Sequence, residues 1–318
     1  MTGHRDRAEI RVAHSALQVS RLGAGLTRLR LAGVEVLETV ADERAPDLGN
    51  GIIMAPWPNR VRDGRWTDGE RTHQLELTEP IRGNAIHGFA RSLGFAIVDR
   101  SATHFVLEAM LTRQPGWPFT IRVAVEYHLG ATGLTVKYRA TNLDADRAPW
   151  AIGAHPYFRI GDTPAGHSRL RLDAEEWLEL DARLNPIANR PVDTFPHDVR
   201  AGWPVGDTEV NTTFSQIPGA DLAMLLAPDG TELRVWGDDA FRWIHVFTPR
   251  DYPASSGRRQ AIALEPMTAP PDALNSGTGL AWIEPGCTWE GRWGVELRSV
   301  GGVPSVSPAG SRSATRGQ

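Results

Sequence analysis

One run of alternation sets the strongest limit on this fold. Over residues 119–129, Phe119, Ile121, Val123, Val125, Tyr127 and Leu129 alternate with Thr120, Arg122, Glu126 and His128; Ala124 is the one neutral exception. Successive side chains of an extended chain point to opposite faces, so the run has one apolar and one polar face. That is the pattern of a half-buried antiparallel strand. Shorter runs of the same kind occupy 104–111, 168–174, 231–237 and 293–300. Turn-forming clusters at 130–133, 142–146, 161–166 and 228–230 separate them. With 32 glycines, 23 prolines and no long stretch of helical spacing, the chain reads as all-β. Only the stretch PPDALN, 270–275, suggests a helical turn.

The chain has 318 residues, enough for one large domain that buries roughly 75% of its unfolded surface. No composition break or internal repeat divides it, so we expect a single domain over 1–300. The stretch 301–318, GGVPSVSPAGSRSATRGQ, is rich in Gly, Ser and Pro and is expected to be a disordered tail, because it has too little apolar surface to offset its ordering entropy. Hydrophobic residues make up 41% and charged residues 23%, which excludes a collagen-like or disordered chain. A net charge of −4 disfavours binding to phosphate backbones, so no nucleic-acid partner is expected. No apolar run approaches the ~18 residues of a membrane span, and the charged start lacks an apolar signal core. A single cysteine, Cys287, cannot form an internal disulfide. These features together predict a cytoplasmic protein with no membrane partner; they leave its oligomeric state open.

Lys137 is the only lysine among 34 basic residues. It falls in LTVKYRATN, where Leu134, Val136, Tyr138 and Ala140 alternate with polar residues, so it is expected to face solvent from a strand. That argues against Schiff-base chemistry. Of the 11 tryptophans, most are expected in the core, although aromatic faces also stack on sugar C–H groups.

Four segments interrupt the strand pattern with polar residues that packing does not require. In APWPNRVRDGRW, 55–66, two prolines stiffen a loop before Asn59 and Arg60; a guanidinium fork there suits either hydroxyl or carboxylate oxygens or a surface ion pair. Arg62 and Arg65 are expected in solvent. In NAIHGFARS, His87 stands between an apolar run and a glycine, and in WAIGAHPYF, His155 precedes Pro156, which favours an extended backbone. In IALEPMTAPPDALN, Glu265 follows an apolar run that reads as a buried strand. A carboxylate there is either buried and paired or aimed into a cleft. The histidines lack zinc-ligand spacing, and GxSxG, GxxxxGK[ST] and GxGxxG are all absent. A glycosidase would need a second carboxylate beside Glu265, and the spacing does not choose among Asp63, Asp238 and Asp239. What remains is a carboxylate–histidine acid–base site among aromatics and arginine, suited to a hydroxyl-rich ligand.

The stretches PWPNRVRDG, AIHGFAR, GAHPYF, EPMTAPPDALN and LAWIEPG, spread over 50–286, together resemble the aldose 1-epimerase (mutarotase) family. The resemblance implies a large antiparallel β-sandwich, the galactose mutarotase-like supersandwich, acting on a monosaccharide with no cofactor and no metal. It implies His155 as general acid, Glu265 as general base, and Arg60 and His87 as sugar ligands with Asn59 close by. The family commonly carries an aspartate where DTEVNTTFSQI here places Asn211, which keeps an acceptor, adds a donor and loses the charge. Besides a free hexose, an anionic (phosphorylated or sulfonated) sugar therefore fits, as does a sugar-binding module without turnover.

The implied reaction needs one base and one acid: the C1 hydroxyl gives up its proton while the ring oxygen gains one, and closure reverses both. With unperturbed pKa values of roughly 4.3 and 6.5, carboxylate and imidazolium outweigh the neutral tautomer by about 150-fold. The resting pair is thus expected to be charged.

Overall fold

The computed structural model describes residues 7–299 other than 41, 43, 45, 207, 255 and 256. The predicted tail, 301–318, lies outside the described residues. All named strands pair antiparallel, most of them in one nine-stranded and one eight-stranded sheet and a four-stranded sheet at the N-terminal end, the rest in two-stranded pairs. The nine-stranded sheet runs, in spatial order, through Ala96–Arg100, His104–Leu111, Ile121–Leu129, Gly133–Asn142, Thr288–Ser299, Thr231–Gly237, Asp221–Leu226, Arg169–Arg171 and Trp203–Pro204. The eight-stranded sheet runs through Pro186–Pro191, Glu176–Leu180, Asn211–Ser215, Trp243–Phe247, Ile262–Met267, Gly153–Ala154 and Ile53–Met54, and Tyr157–Phe158 also pairs with Ile262–Met267.

The five alternating runs of the sequence all fall on strands of the nine-stranded sheet. Ile121, Val123, Val125, Tyr127 and Leu129 are all buried, and Arg122 and His128 on the other face are exposed. The strand begins at Ile121; Phe119 is buried but lies just before it. The run expected over 168–174 shortens to Arg169–Arg171, and the one expected to start at 293 begins at Thr288. The helical turn sits at Ala273–Ser276, later than the expected 270–275, because Asp272 directly before it takes a left-handed φ of 62° that no right-handed helix can include. Lys137 points outward as expected and pairs with Glu290 across the sheet at 2.9 Å.

The two large sheets share one apolar core. Leu225, Leu233 and Val235 of the nine-stranded sheet belong to the same buried cluster as Ile244, Val246, Ile262 and Leu264 of the eight-stranded sheet. Trp66, Trp117, Trp150 and Trp293 are fully buried, so these tryptophans are core residues. Because neighbouring side chains alternate, the strand that packs Ile244 and Val246 inward must turn Trp243, His245 and Phe247 the other way. The same argument applied to Ile262–Met267 turns Ala263, Glu265 and Met267 to that second face. The pattern of the strands thus delivers polar groups to one face of the eight-stranded sheet.

Candidate active site

His245 and Glu265 are direct cross-strand partners, and Thr213 is the partner of His245 on its other side. The row Thr213–His245–Glu265 therefore crosses three adjacent strands. His155, from the segment that follows Gly153–Ala154, brings Nε2 to 3.3 Å from Glu265 Oε1. Its backbone is held on both sides: His155 N–H donates to the Ile52 carbonyl at 3.0 Å, and Gly51 N–H donates to the His155 carbonyl at 2.8 Å. Tyr157 stacks on its ring, with centroids 5.3 Å apart and planes at 25°, and His87 meets it edge-on, also at 5.3 Å. Four of the sequence-predicted residues, His87, His155, Glu265 and Arg60, are thereby brought together: Arg60 is close enough that its charge acts on His87, His155, His245 and Glu265.

Arg60 itself is neither a surface ion pair nor a free fork. It is 7% exposed, and its Nε and Nη2 donate to Glu79 at 2.8 and 2.9 Å, a bidentate pair. Glu79 also accepts from Arg82 Nη1 at 3.0 Å. Nη1 of Arg60 donates to Asn59 Oδ1 at 3.2 Å, and the same oxygen accepts the Arg60 backbone N–H at 3.0 Å. The Asn59 carbonyl accepts the His87 N–H at 2.9 Å. Asn59 and His87 both adopt positive φ, 54° and 64°. Few residues other than glycine adopt that region, and asparagine and histidine are among those that do so most readily. Asn59 thus ties together the two segments that carry Arg60 and His87. Arg62 is half exposed, 3.8 and 3.9 Å from Asp181 and Asp272, and Arg65 is exposed as expected.

Electrostatics correct the expected charge state. Burial drives His155 down to about 4, with the Arg60 charge adding to the effect, and drives Glu265 well above its usual range, against the pull of Arg60. Desolvation penalises the charged form of each group, so the site favours a protonated Glu265 beside a neutral His155. The unperturbed values favoured the ion pair because they describe water-exposed groups. His87 is likewise held neutral by burial and by the charges of its neighbours. Glu265 Oε2, His155 Nδ1 and His87 Nδ1 are buried without hydrogen-bond partners among the described residues.

Asn211 joins this group through His245, whose Nε2 is 2.9 Å from Asn211 Oδ1 and whose Nδ1 is 2.8 Å from Thr213 Oγ1. Burial lowers the His245 pKa well below 6.5, so the ring is neutral and carries one N–H. An amide oxygen only accepts, so Nε2–H donates to Asn211 and the Thr213 hydroxyl donates to Nδ1. The Asn211 NH₂ remains as the donor end of that side chain.

Sequence reasoning passed over His245, Thr213, Glu79 and Arg91. In FRWIHVF, His245 shares its parity with Trp243 and Phe247, opposite the apolar Ile244 and Val246, and that parity was the available signal. Nothing in the spacing linked Glu79 to Arg60. The glycosidase candidates lie elsewhere: Asp63 is exposed and paired with Arg183, Asp238 accepts from the Arg292 N–H, and Asp239 is fully exposed beside Arg242. Among the described residues, no group of three or more His, Cys, Asp or Glu is arranged to hold a metal ion.

Comparison with known proteins bears on the family and the fold. The profile of a family described as aldose 1-epimerase matches residues 6–295. The uncharacterized protein YihR of Escherichia coli (strain K12) is 28% identical over 267 residues, 83% of this chain and 84% of that protein. Two solved structures share the fold. A GalM/aldose epimerase homologue from C. elegans has a TM-score of 0.80 at 15% identity, covering 93% of this chain and 99% of the other. A galactose 1-epimerase from Lactobacillus acidophilus NCFM has a TM-score of 0.75 at 17% identity, covering 94% and 96%.

Proposed function

From the premise that the chain belongs to the aldose 1-epimerase family, we propose that it is a cofactor-independent mutarotase that interconverts the α and β anomers of a free hexose. The observation that carries this reading is the 3.3 Å approach of His155 Nε2 to Glu265 Oε1, with both groups buried. The two oxygens that exchange protons in ring opening, the C1 hydroxyl and the ring oxygen, are bonded to the same carbon. A base and an acid this close can serve both.

Opening proceeds with Glu265 as carboxylate and His155 as imidazolium. Glu265 takes the proton of the C1 hydroxyl, the bond from C1 to the ring oxygen breaks, and His155 gives that oxygen a proton. The products are the open-chain aldehyde, a protonated Glu265 and a neutral His155. Rotation about C1–C2 then presents the other carbonyl face, and closure returns each proton to its donor. Burial favours the protonation state that follows opening, and the positive charge of Arg60 favours the carboxylate that precedes it. The pair holds one proton in both states, so the site runs in either direction without exchange with solvent. His87 and Arg60 are proposed as sugar ligands, Asn59 as the residue that positions both, and Asn211 as a donor to a sugar hydroxyl.

Polarimetry on freshly dissolved α-D-glucose and α-D-galactose tests the reading. We expect faster decay to the unchanged final rotation, and a loss of about 10²–10⁴-fold in kcat for Glu265→Gln or His155→Ala. Near-normal activity in Glu265→Gln would remove Glu265 as the base. Tight sugar binding with no acceleration would leave a binding module instead.

A second reading, an anionic sugar, is favoured by Arg91. This partly buried guanidinium has no carboxylate partner among the described residues, burial lowers its pKa, and its charge reaches His87. A higher kcat/KM for a hexose 6-phosphate or sulfonated hexose than for the neutral sugar, abolished in Arg91→Ala, is the outcome that selects it.

A further inference from the structure

The segment that carries Glu265 also reaches the strand that carries Arg60. Beyond Ile262–Met267 it is held at Thr268, whose N–H donates to the Ile152 carbonyl and whose hydroxyl accepts the Ile152 N–H, both at 2.9 Å. Pro270 and Pro271 follow, each with a fixed φ that leaves the chain little freedom to bend. Asp272 ends this stiff stretch seven residues after Glu265, in a left-handed conformation with φ 62° and ψ 26°.

Asp272 does the work of a neighbouring strand with a single residue. Its N–H donates to the Arg60 carbonyl at 2.7 Å, and its Oδ1 accepts the Arg62 N–H at 2.9 Å. A parallel strand placed opposite Val61 would give one N–H to Arg60 and accept one from Arg62 through its carbonyl. Here the carboxylate stands in for that carbonyl, because the Asp272 carbonyl accepts the N–H groups of Asn275 and Ser276 at 3.0 and 2.9 Å. The other edge of Arg60–Arg62 is paired with Asn84–Ile86, so the Arg60 strand is held on both sides. Asn275 Nδ2 donates to Asp272 Oδ1 at 2.7 Å and to the Arg65 carbonyl at 2.9 Å, which ties the next part of the chain to the same turn. Packing alone does not call for a carboxylate here. Its side chain is 14% exposed, and burial pushes its pKa up against the pull of these donors.

We propose that Asp272 is a positioning residue that locks the backbone of Arg60 to the segment of Glu265, so that one stiff stretch of chain sets where the guanidinium stands relative to the acid–base pair. The positive charge of Arg60 favours the carboxylate form of Glu265, so an Arg60 that drifts weakens sugar binding and the base together. The proposal rests on the mutarotase reading and adds to it a residue that acts through Arg60.

The test is a double-mutant cycle read by polarimetry on fresh α-D-glucose and α-D-galactose, with denaturant unfolding of each variant. Asp272→Gly removes the carboxylate, keeps the N–H and suits the positive φ. Asp272→Asn keeps an acceptor oxygen. Arg60→Gln removes the charge and leaves a donor for Glu79. The expected result is a loss of about tenfold in kcat/KM for Asp272→Gly, mostly through KM, in the wild-type background. In the Arg60→Gln background the same substitution should cost less than about twofold, because the residue it acts through is already gone. Asp272→Asn should stay within about threefold of wild type. Equal fractional losses in both backgrounds, no loss in Asp272→Gly, an Asp272→Asn as impaired as Asp272→Gly, or an Asp272→Gly protein that does not fold would overturn the positioning role and leave the mutarotase reading in place. Acceleration of neither sugar by the wild-type protein would overturn both.

Discussion

At the residue scale, Glu265 is a group whose burial works against its own charge. Its carboxyl holds a proton in the folded state above the pH at which the unfolded chain loses it, because desolvation raises its pKa. Between about pH 4.5 and the raised folded value the unfolded state binds fewer protons, so this residue's contribution to stability falls as pH rises. Glutamine has the same shape and no titration. Glu265→Gln should therefore melt near the wild-type temperature at pH 4 and above it at pH 8, while losing activity; equal melting differences at both pH values would contradict the burial argument. His155 acts at the other end of the scale: with its folded pKa lowered to about 4 against roughly 6.5 unfolded, it lowers stability as pH falls through that window. Neither state was legible in the sequence, since protonation depends on what surrounds a group in space.

At the element scale, the strand pair Arg60–Arg62 and Asn84–Ile86 carries one wall of the site, and the Arg60–Glu79 ion pair holds it. Their side chains are only 8% and 13% exposed. Removing one partner of a buried pair leaves the other charge desolvated and unpaired, a cost of about 3–5 kcal/mol. Glu79→Ala is expected to lower the unfolding free energy by about that amount in denaturant titration and to raise KM for the sugar, because Arg60 loses its anchor. A loss below about 1 kcal/mol would mean that Arg60 relaxes toward solvent and that the pair does not position it. Arg60 was visible in the motif as either a ligand or a surface ion pair; its real partner lies nineteen residues away across a turn, a distance at which no local pattern speaks.

At the scale of the whole molecule, the segments that carry Arg60 and His87 rest on an aromatic cluster. Trp57 meets Phe89 edge-on at 4.9 Å, and both pack on Trp117, which also touches Trp66 and Phe119. Trp117 is fully buried, so Trp117→Ala should reduce stability by about 3–5 kcal/mol in denaturant unfolding with an unchanged slope. A smaller effect would show that the cluster collapses to fill the space.

The sequence by itself determined that the chain is built of antiparallel strands, which faces of those strands go inward, and which four segments depart from the pattern. Those properties are carried by neighbours in the chain, since alternation at Ile121–Leu129 fixes burial two residues at a time. The likeness of the motifs also points to the family. Only the tertiary structure decided that His245 stands opposite Glu265, that Asn211 spends its oxygen on His245, and that burial disfavours the charged pair. Each depends on which strands become neighbours and how much water they exclude, and both quantities arise from contacts between residues far apart in the chain.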